Sequence, residues 1–405
     1  MPTVIENGRI FTGSGAGIIE QGVVVIGDDG RIAAVGRAGA VQVPAGALRW
    51  PANGRAVLPG LIDMHAHVLC GTDAEAREGL NARTITDQTL RAVNNASRCV
   101  QAGITTVRDA GARSDGIFRI KHAIDQGVVL GPRIFPAGQA IAMSGGHGWN
   151  GVAVEADGPD EVRKAARQQL KAGALCIKLM ATGGAGTAGE RITDLQLSVD
   201  ELRAGAEEAH KKGRHALAHV TNSDGVANAV AAGIDSIEHG LVLNEDAVQA
   251  MVEHGVYFCP TLEAYERIVR LGPAAGYYEY MVPKAASVLE PHRVSFRLAL
   301  RAGVKMLAGT DAGGHFWRLG DLGDELERMV EAGMTAEAAL LSATRTAAEC
   351  LGWQEDVGLL EVGRWADILI VDGDPTEDIT AVKRVYAVFK GGRLVSRTPA
   401  ADAAG

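Results

Sequence analysis

One local pattern recurs along the middle of this 405-residue chain: an amphipathic stretch, a glycine, then a short apolar run. It occurs as RCVQAG-ITTVRDAG, QLKAG-ALCIKLMATGG, EAHKKG-RHALAHV, ANAVAAG-IDSIEHG, QAMVEHG-VYFCPTL and RLALRAG-VKMLAGTDAG. Each glycine suits the left-handed position that ends a helix. Each apolar run is short and bounded, as is typical of a strand buried on both faces. The repeat therefore predicts helices alternating with parallel strands.

Two further runs, GLIDMHAHV and PRIFPAG, bring the number of candidate strands to eight. They cover residues 60–68, 104–109, 133–137, 175–180, 215–220, 235–239, 256–261 and 305–311. Eight strands separated by helices predict an α/β fold, a (β/α)8 TIM barrel over residues 58–357. An open doubly wound sheet is the alternative, but no GxGxxG motif follows the first strand.

The two ends of the chain differ from the middle. Residues 1–57 and 358–405 contain short alternating strands and tight turns, such as GVVVIGDDGRIAAVG and GRWADILIVDGDP. Turn signals of the NG and DG type favour antiparallel pairing. We expect the two ends to form one small composite β-sandwich domain beside the barrel.

Composition excludes several classes of protein. The net charge of −9 provides no basic surface for nucleic acid. No apolar run approaches 18 residues and the first residues do not resemble a signal peptide, so we expect no membrane contact. The five cysteines are scattered without CxxC, which favours reduced thiols and a cytoplasmic location.

Ionisable residues cluster near the carboxyl ends of the candidate strands. Side chains at i and i+2 of a strand share a face, so His65 and His67 both point inward if IDMHAH is the first strand. The other candidates are Lys178, His219, His239 and Asp311. Singly, each has an ordinary structural explanation. Together, at the end where barrel active sites are built, they predict a metal site, because unpaired buried polar groups are costly.

These motifs resemble the amidohydrolase superfamily of metal-dependent hydrolases. The resemblance extends over essentially the whole chain, from VLPGLIDMHAH through IKLMATGG, EHG and AGTDAG to GRWADILIVDGDP. Within the superfamily the chain is most similar to the binuclear prolidase-like group, which includes Xaa-Pro and Xaa-Arg/Lys dipeptidases and ochratoxinase. The phrase SGGHG, which contains His147, also resembles that group.

The resemblance implies roles for the six residues. His65, His67 and Asp311 match ligands of a first metal ion, and His219 and His239 match ligands of a second. Lys178 matches a lysine that reacts with CO2 to give a carbamate bridging both ions. Two divalent ions are expected, and nitrogen and oxygen ligands suit Zn2+.

The implied reaction is hydrolysis of an amide or peptide bond next to a carboxylate. A metal-bridging hydroxide would attack the carbonyl, and Asp311 would move the proton to the leaving amine. His147 would donate to the carbonyl oxygen. The partner is then a small amide or dipeptide, and homo-oligomers are common in the group. Substrate contacts are expected from His147, Arg191, Tyr257, His315 and Arg318.

Three readings remain open from the sequence. A dipeptidase of Xaa-Pro or Xaa-Arg/Lys type is the first, with hydrolysis of an N-acyl amino acid such as ochratoxin as a variant. An imidazolonepropionase-like or deaminase enzyme with one metal is the second, acting on a cyclic amide, lactone or carbamate. Lys178 argues against it. A non-catalytic scaffold is the third, and the complete ligand set argues against that.

Overall fold

The strands of the chain are numbered in the order of the sequence. In a computed structural model, which describes residues 1–70, 84–313 and 318–398, they are β1 (Thr3–Phe11), β2 (Ile18–Ile26), β3 (Ile32–Arg37), β4 (Leu48–Pro51), β5 (Ala56–Pro59), β6 (Leu61–Ala66), β7 (Ile104–Asp109), β8 (Arg133–Pro136), β9 (Ala140–Ala142), β10 (Ala153–Glu155), β11 (Cys176–Met180), β12 (His215–Asn222), β13 (Ser236–Val242), β14 (Tyr257–Cys259), β15 (Lys305–Met306), β16 (Ile368–Val371), β17 (Val385–Lys390) and β18 (Arg393–Arg397).

Both ends of the chain contribute to one small β domain. Its sheet has the order β18-β17-β16-β5-β1-β2-β3, with β4 paired to β1. The antiparallel pair β5–β16 joins the two ends. The small domain built from both chain ends is therefore as the sequence predicted.

The central strands run parallel and form the barrel. Parallel pairing connects β6 to β7 and β7 to β8, and separately connects β11 through β12, β13 and β14 to β15. Backbone hydrogen bonds close the ring at two places, from Leu175 to Pro136 and from Met64 to Ala308. A parallel bridge between Ala66 and Ala312 extends the second closure. The fold is thus a (β/α)8 barrel with a small additional β domain.

Helices follow most barrel strands and cover the outside. They are α1 (Ile85–Gln101), α2 (Gly116–Asp125), α3 (Gly158–Ala172), α4 (Val199–His210), α5 (Ser223–Ala232), α6 (Glu245–Glu253), α7 (Leu262–Leu271), α8 (Met281–Ala286), α9 (Leu289–Ala302), α10 (Leu322–Glu331), α11 (Ala336–Ser342) and α12 (Arg345–Leu351). None of the helices in the described ranges combines the length and apolarity needed to cross a bilayer.

The glycine of every repeated unit has the conformation that the sequence predicted. All six have positive φ, namely Gly103, Gly173, Gly213, Gly233, Gly255 and Gly303. A left-handed glycine lets the chain leave a helix and enter the next strand within one or two residues. This tight junction places the polar residues of each strand at the opposite, carboxyl end of the barrel.

The strand bounds differ from prediction mainly at the eighth strand. Regular pairing covers only Lys305–Met306, whereas the prediction was 305–311. After Met306 the backbone amides donate to different segments, first to Phe258 and then to Ser342. Asp311, with a φ of 56°, has a left-handed conformation that cannot continue a strand. The five cysteines are all free and buried, as expected.

Candidate metal centre and active site

The six predicted ligand residues meet at the carboxyl end of the barrel. Lys178, His219 and His239 lie on the adjacent strands β11, β12 and β13, and His65 lies on β6. His67 directly follows the first barrel strand, Asp311 lies five residues beyond the end of β15, and all six side chains are buried. The structure therefore brings together the whole set that the sequence singled out.

The imidazoles form a continuous row. Ring centroids are separated by 5.5 Å between His67 and His65, 4.9 Å between His65 and His239, and 4.5 Å between His239 and His219. His147 stacks on the far side of His219, with centroids 4.2 Å apart and an interplanar angle of 23°. Five imidazole rings, each packed against the next, are unusual in a barrel interior, which is normally filled by aliphatic side chains.

Each histidine of the predicted ligand set has one ring nitrogen hydrogen-bonded to a neighbouring group. The bonds are His65 Nδ1 to Glu238 Oε2 at 2.7 Å, His67 Nδ1 to the Gly111 carbonyl at 2.7 Å, His219 Nε2 to the Gly183 carbonyl at 2.9 Å, and His239 Nδ1 to Thr261 Oγ1 at 2.8 Å. Such bonds fix the tautomer and ring orientation of histidines that ligate metals. The second nitrogen of each ring is therefore left to bind another group, such as a metal ion.

A carboxylate faces two of these second nitrogens. Asp311 Oδ1 lies 3.1 Å from His67 Nε2 and 3.5 Å from His65 Nε2. The donor atoms of the three residues all lie within 4.8 Å of one another. Two imidazole nitrogens and one carboxylate oxygen at this spacing fit a divalent ion such as Zn2+.

Burial keeps most of these imidazoles neutral, the form that binds metal. Desolvation, followed by the nearby Lys178 charge, lowers the pKa of His65 to about 4. Desolvation also lowers the pKa of His219 and of His239 well below its usual value. His67 differs: burial opposes its protonation, but the hydrogen bond to Asp311 raises its pKa.

Lys178 is a lysine in an unusual place. Its side chain is only 2% exposed, and desolvation lowers its pKa to about 8, with Glu238 and Asp311 opposing this shift. A substantial fraction of its amine is therefore neutral near pH 7 to 8, and a neutral amine is a nucleophile.

Three non-glycine residues at the site adopt left-handed backbone conformations. Their φ angles are 75° for His239, 53° for Thr261 and 56° for Asp311. A β-branched threonine pays a particularly high steric cost in this region. Each such residue costs about 1–3 kcal/mol and persists where the surrounding structure over-determines it, most often at functional sites.

His147 lies in a slot between His219 and the loop after β11. Its Nδ1 donates to Glu190 Oε1 at 2.6 Å, with Thr187 Oγ1 at 3.3 Å. Glu190 also accepts from the Gly184 amide and from Gln196 Nε2. The carboxylate is fully engaged and holds the ring in one orientation against His219.

The second face of the His147 ring lies against Gly184. A Cβ on Gly184 would stand 2.3 Å from His147 Cε1. The loop is tied down from outside, because Lys284 Nζ donates to the carbonyls of Gly184 and Thr187. The loop therefore leaves the imidazole no alternative position.

The other predicted substrate contacts are dispersed. Arg191 is exposed and pairs with Asp194. Tyr257 begins β14, at the amino end of its strand, where Lys305 lies over its ring. Arg318 lines a groove of about 530 Å³ with Arg98 and Lys383. His315 lies outside the described residues. Of the five predicted contacts, the structure brings only His147 to the histidine row within the part it describes.

Sequence reasoning missed several residues that contact the site. Glu238 bonds to His65, Glu190 bonds to His147, and the ring of Tyr265 makes an edge contact with His239 at 5.9 Å. Glu238 carried a signal, because it is a charged residue inside a buried strand next to His239. Glu190 and Tyr265 carried none, since loops and helices hold such residues routinely at the surface.

Comparison with known proteins gives consistent matches. The sequence pattern of the amidohydrolase family matches residues 56–395. Ochratoxinase from Aspergillus niger is 29% identical, covering 97% of this chain and 86% of the relative. Among solved structures, a Xaa-Pro dipeptidase with methionine in its active site has a TM-score of 0.90 and 33% identity, covering 97% of this chain and 99% of the other. A prolidase complexed with N-methylphosphonate-L-proline has a TM-score of 0.90 and 33% identity, and the match covers 98% of this chain and 100% of the prolidase chain.

Proposed function

Because the chain belongs to the amidohydrolase family and is similar to ochratoxinase and to a Xaa-Pro dipeptidase, we propose that it is a binuclear metal-dependent dipeptidase. It cleaves the amide bond next to a free carboxylate, in dipeptides of the Xaa-Pro or Xaa-Arg/Lys type. One observation carries the proposal: four imidazoles, each held through one nitrogen, surround a buried lysine and a buried aspartate.

The donor atoms divide naturally between two ions. His65, His67 and Asp311 would hold one, and the remaining nitrogens of His219 and His239 would hold the other. Lys178, converted by CO2 to a carbamate, would serve both, because an ammonium repels a cation whereas a carbamate offers two anionic oxygens. When bound, two divalent ions, which we expect to be Zn2+, supply a water of lowered pKa and polarise the scissile carbonyl.

The chain's own residues would move the proton and stabilise the developing charge. Burial raises the pKa of Asp311, but the hydrogen bond from His67 and the neighbouring imidazoles hold it well below its usual range, so this carboxylate is ionised and able to accept a proton. It would then release that proton to the leaving amine. Since Nδ1 of His147 donates to Glu190, the ring fixed between Gly184 and His219 would need a proton on Nε2 as well in order to donate a hydrogen bond to the carbonyl oxygen.

A second substrate class is favoured by a specific observation. The 29% identity to ochratoxinase extends over nearly the whole chain, so hydrolysis of an N-acyl amino acid of the ochratoxin kind is the alternative. Both classes present an amide nitrogen on a carbon that carries a carboxylate, so the chemistry at the site is shared. They differ in the acyl group and in the size of the pocket required.

A matched substrate panel tests the proposal. Zinc-loaded protein is assayed with Xaa-Pro, Xaa-Arg and Xaa-Lys dipeptides, with their C-terminal amides, and with ochratoxin A. We expect turnover of at least one dipeptide series and loss of most activity when the carboxylate becomes an amide. Turnover of ochratoxin A alone would identify the protein as a hydrolase of N-acyl amino acids, the second substrate class. Inactivity toward all of these compounds in protein that binds two ions would refute the proposal.

A further inference from the structure

A buried ion pair lies directly behind the predicted metal site. Glu238 Oε2 accepts from His65 Nδ1 at 2.7 Å, and Oε1 accepts from Arg108 at 2.8 Å and from Ser236 Oγ at 2.7 Å. The carboxylate is 0% exposed and Arg108 is 1% exposed. Each oxygen of Glu238 is therefore already committed to a protein partner.

Arg108 connects three barrel strands through this carboxylate. Its Nε donates to the Met64 carbonyl on β6 at 2.6 Å, and its second terminal nitrogen donates to Ser236 Oγ on β13 at 2.9 Å. Burying an arginine in a barrel interior costs several kcal/mol unless every hydrogen bond is made. The proposed hydrolysis gives neither Arg108 nor Glu238 a step, so their presence calls for a separate explanation.

We propose that Glu238 is a positioning residue that keeps the proton of His65 on Nδ1. The Nε2 atom of His65 then presents its lone pair toward Asp311 and the first metal ion. Arg108 fixes the direction of the Glu238 carboxylate. The inference rests on the metal centre of the proposed function. It does not depend on the identity of the substrate.

Replacement of the carboxylate by an amide has a directional consequence here. In Glu238→Gln the amide group cannot face Arg108 and Ser236, because both offer hydrogens to that position. The amide oxygen therefore stays with Arg108, and the NH2 group faces His65 Nδ1. That nitrogen must then accept, which moves the imidazole proton to Nε2 and removes the lone pair from the metal side.

The decisive experiment compares Glu238→Gln with wild type in metal-free protein loaded with Zn2+. We expect the affinity for one of the two ions to fall about 10- to 100-fold, as is usual when the partner of a ligating histidine is lost, while the second ion binds as before. Affinities come from competition with a chelator, and stoichiometry from elemental analysis. The matched control is Glu208→Gln, which alters a buried carboxylate paired with Arg167 far from any ligand histidine; it should bind both ions normally.

A tautomer measurement distinguishes positioning from direct ligation, since Glu238, His65 and Cys259 also have donor atoms within 4.8 Å of one another. Long-range nitrogen–proton NMR of metal-free protein should show one histidine changing from Nδ1-H to Nε2-H in Glu238→Gln. If Glu238 were itself a ligand, metal affinity would fall without this change, and the inference would be wrong.

Three further outcomes complete the test. If Glu238→Gln fails to fold, Ser236→Ala replaces it: loss of the Oγ anchor should weaken binding of the same ion several-fold, and unchanged affinity would overturn the inference. If wild-type protein binds two ions but cleaves no amide, the proposed function fails while the inference stands. If wild type and Glu238→Gln bind two ions equally, the inference is refuted.

Discussion

Gly184→Ala tests the role of His147 with a single methyl group. The new Cβ would lie 2.3 Å from His147 Cε1, 2.7 Å from Nδ1 and 2.8 Å from Nε2. Carbon contacts are ordinarily about 3.5–4.0 Å, so the ring must retreat by about 1 Å or more. His219, stacked 4.2 Å away, blocks the retreat, and the 2.6 Å bond to Glu190 must break. Because loss of one oxyanion donor costs about 10²–10³ in kcat, we expect a decrease of that order in kcat.

The assay is steady-state kinetics on the best dipeptide, together with zinc content per chain. Metal content should stay at the wild-type value, since Gly184 is not one of the predicted ligands and the atoms nearest its added Cβ belong to His147. The control is Gly213→Ala, a helix-terminal glycine with φ of 63° and no atom within 4 Å of the added Cβ; it should lose stability but retain kcat. A Gly184→Ala enzyme with kcat within twofold of wild type would refute the assignment of His147.

Three further outcomes follow from the buried charges. Lys178→Ala should abolish activity and lower the zinc content measured by elemental analysis; full activity would exclude a bridging carbamate. Protein stripped of metal and CO2 should regain activity, on addition of zinc at a constant concentration of dissolved CO2, at a rate that rises about tenfold per pH unit and levels off near pH 8, because the neutral amine of Lys178 reacts with CO2 and its pKa is about 8; a rise continuing toward pH 10 would indicate an ordinary lysine. Arg108→Met should destabilise metal-free protein by about 3–5 kcal/mol, because it leaves the Glu238 carboxylate buried and unpaired; an unchanged urea midpoint would show that this carboxylate is not ionised.

The barrel could be predicted because its signals are local. Each strand is a short apolar run, and each preceding glycine, such as Gly173 or Gly233, marks a helix end within a few residues. Alternation along a strand then placed His65 and His67 on the inward face without knowledge of the tertiary structure. The eighth strand was predicted too long because the backbone after Met306 bonds to several different segments, and such long-range contacts leave no trace in composition.

The partners of the site residues could not be predicted, because they depend on contacts distant in sequence. Glu190 reaches His147 across 43 positions, and Glu238 reaches His65 across 173. The neighbouring Arg191 was singled out instead of Glu190, yet it is 86% exposed in its side chain. The fold of the loop over β11 decides which of these two adjacent charged residues points inward. The sequence pattern does not predict that choice.

The central claim is that two divalent ions act together in amide hydrolysis, and a metal titration of chelator-treated protein measures it most directly. Zinc is added in steps to protein in bicarbonate buffer, and hydrolysis of the best amide substrate is followed at each step. We expect activity to reach its maximum at two equivalents per chain, since the donors of His65, His67 and Asp311 fit one ion and we propose that His219 and His239, whose rings lie 4.5 Å apart, hold the other. Full activity at one equivalent, or in the absence of metal, would contradict the claim.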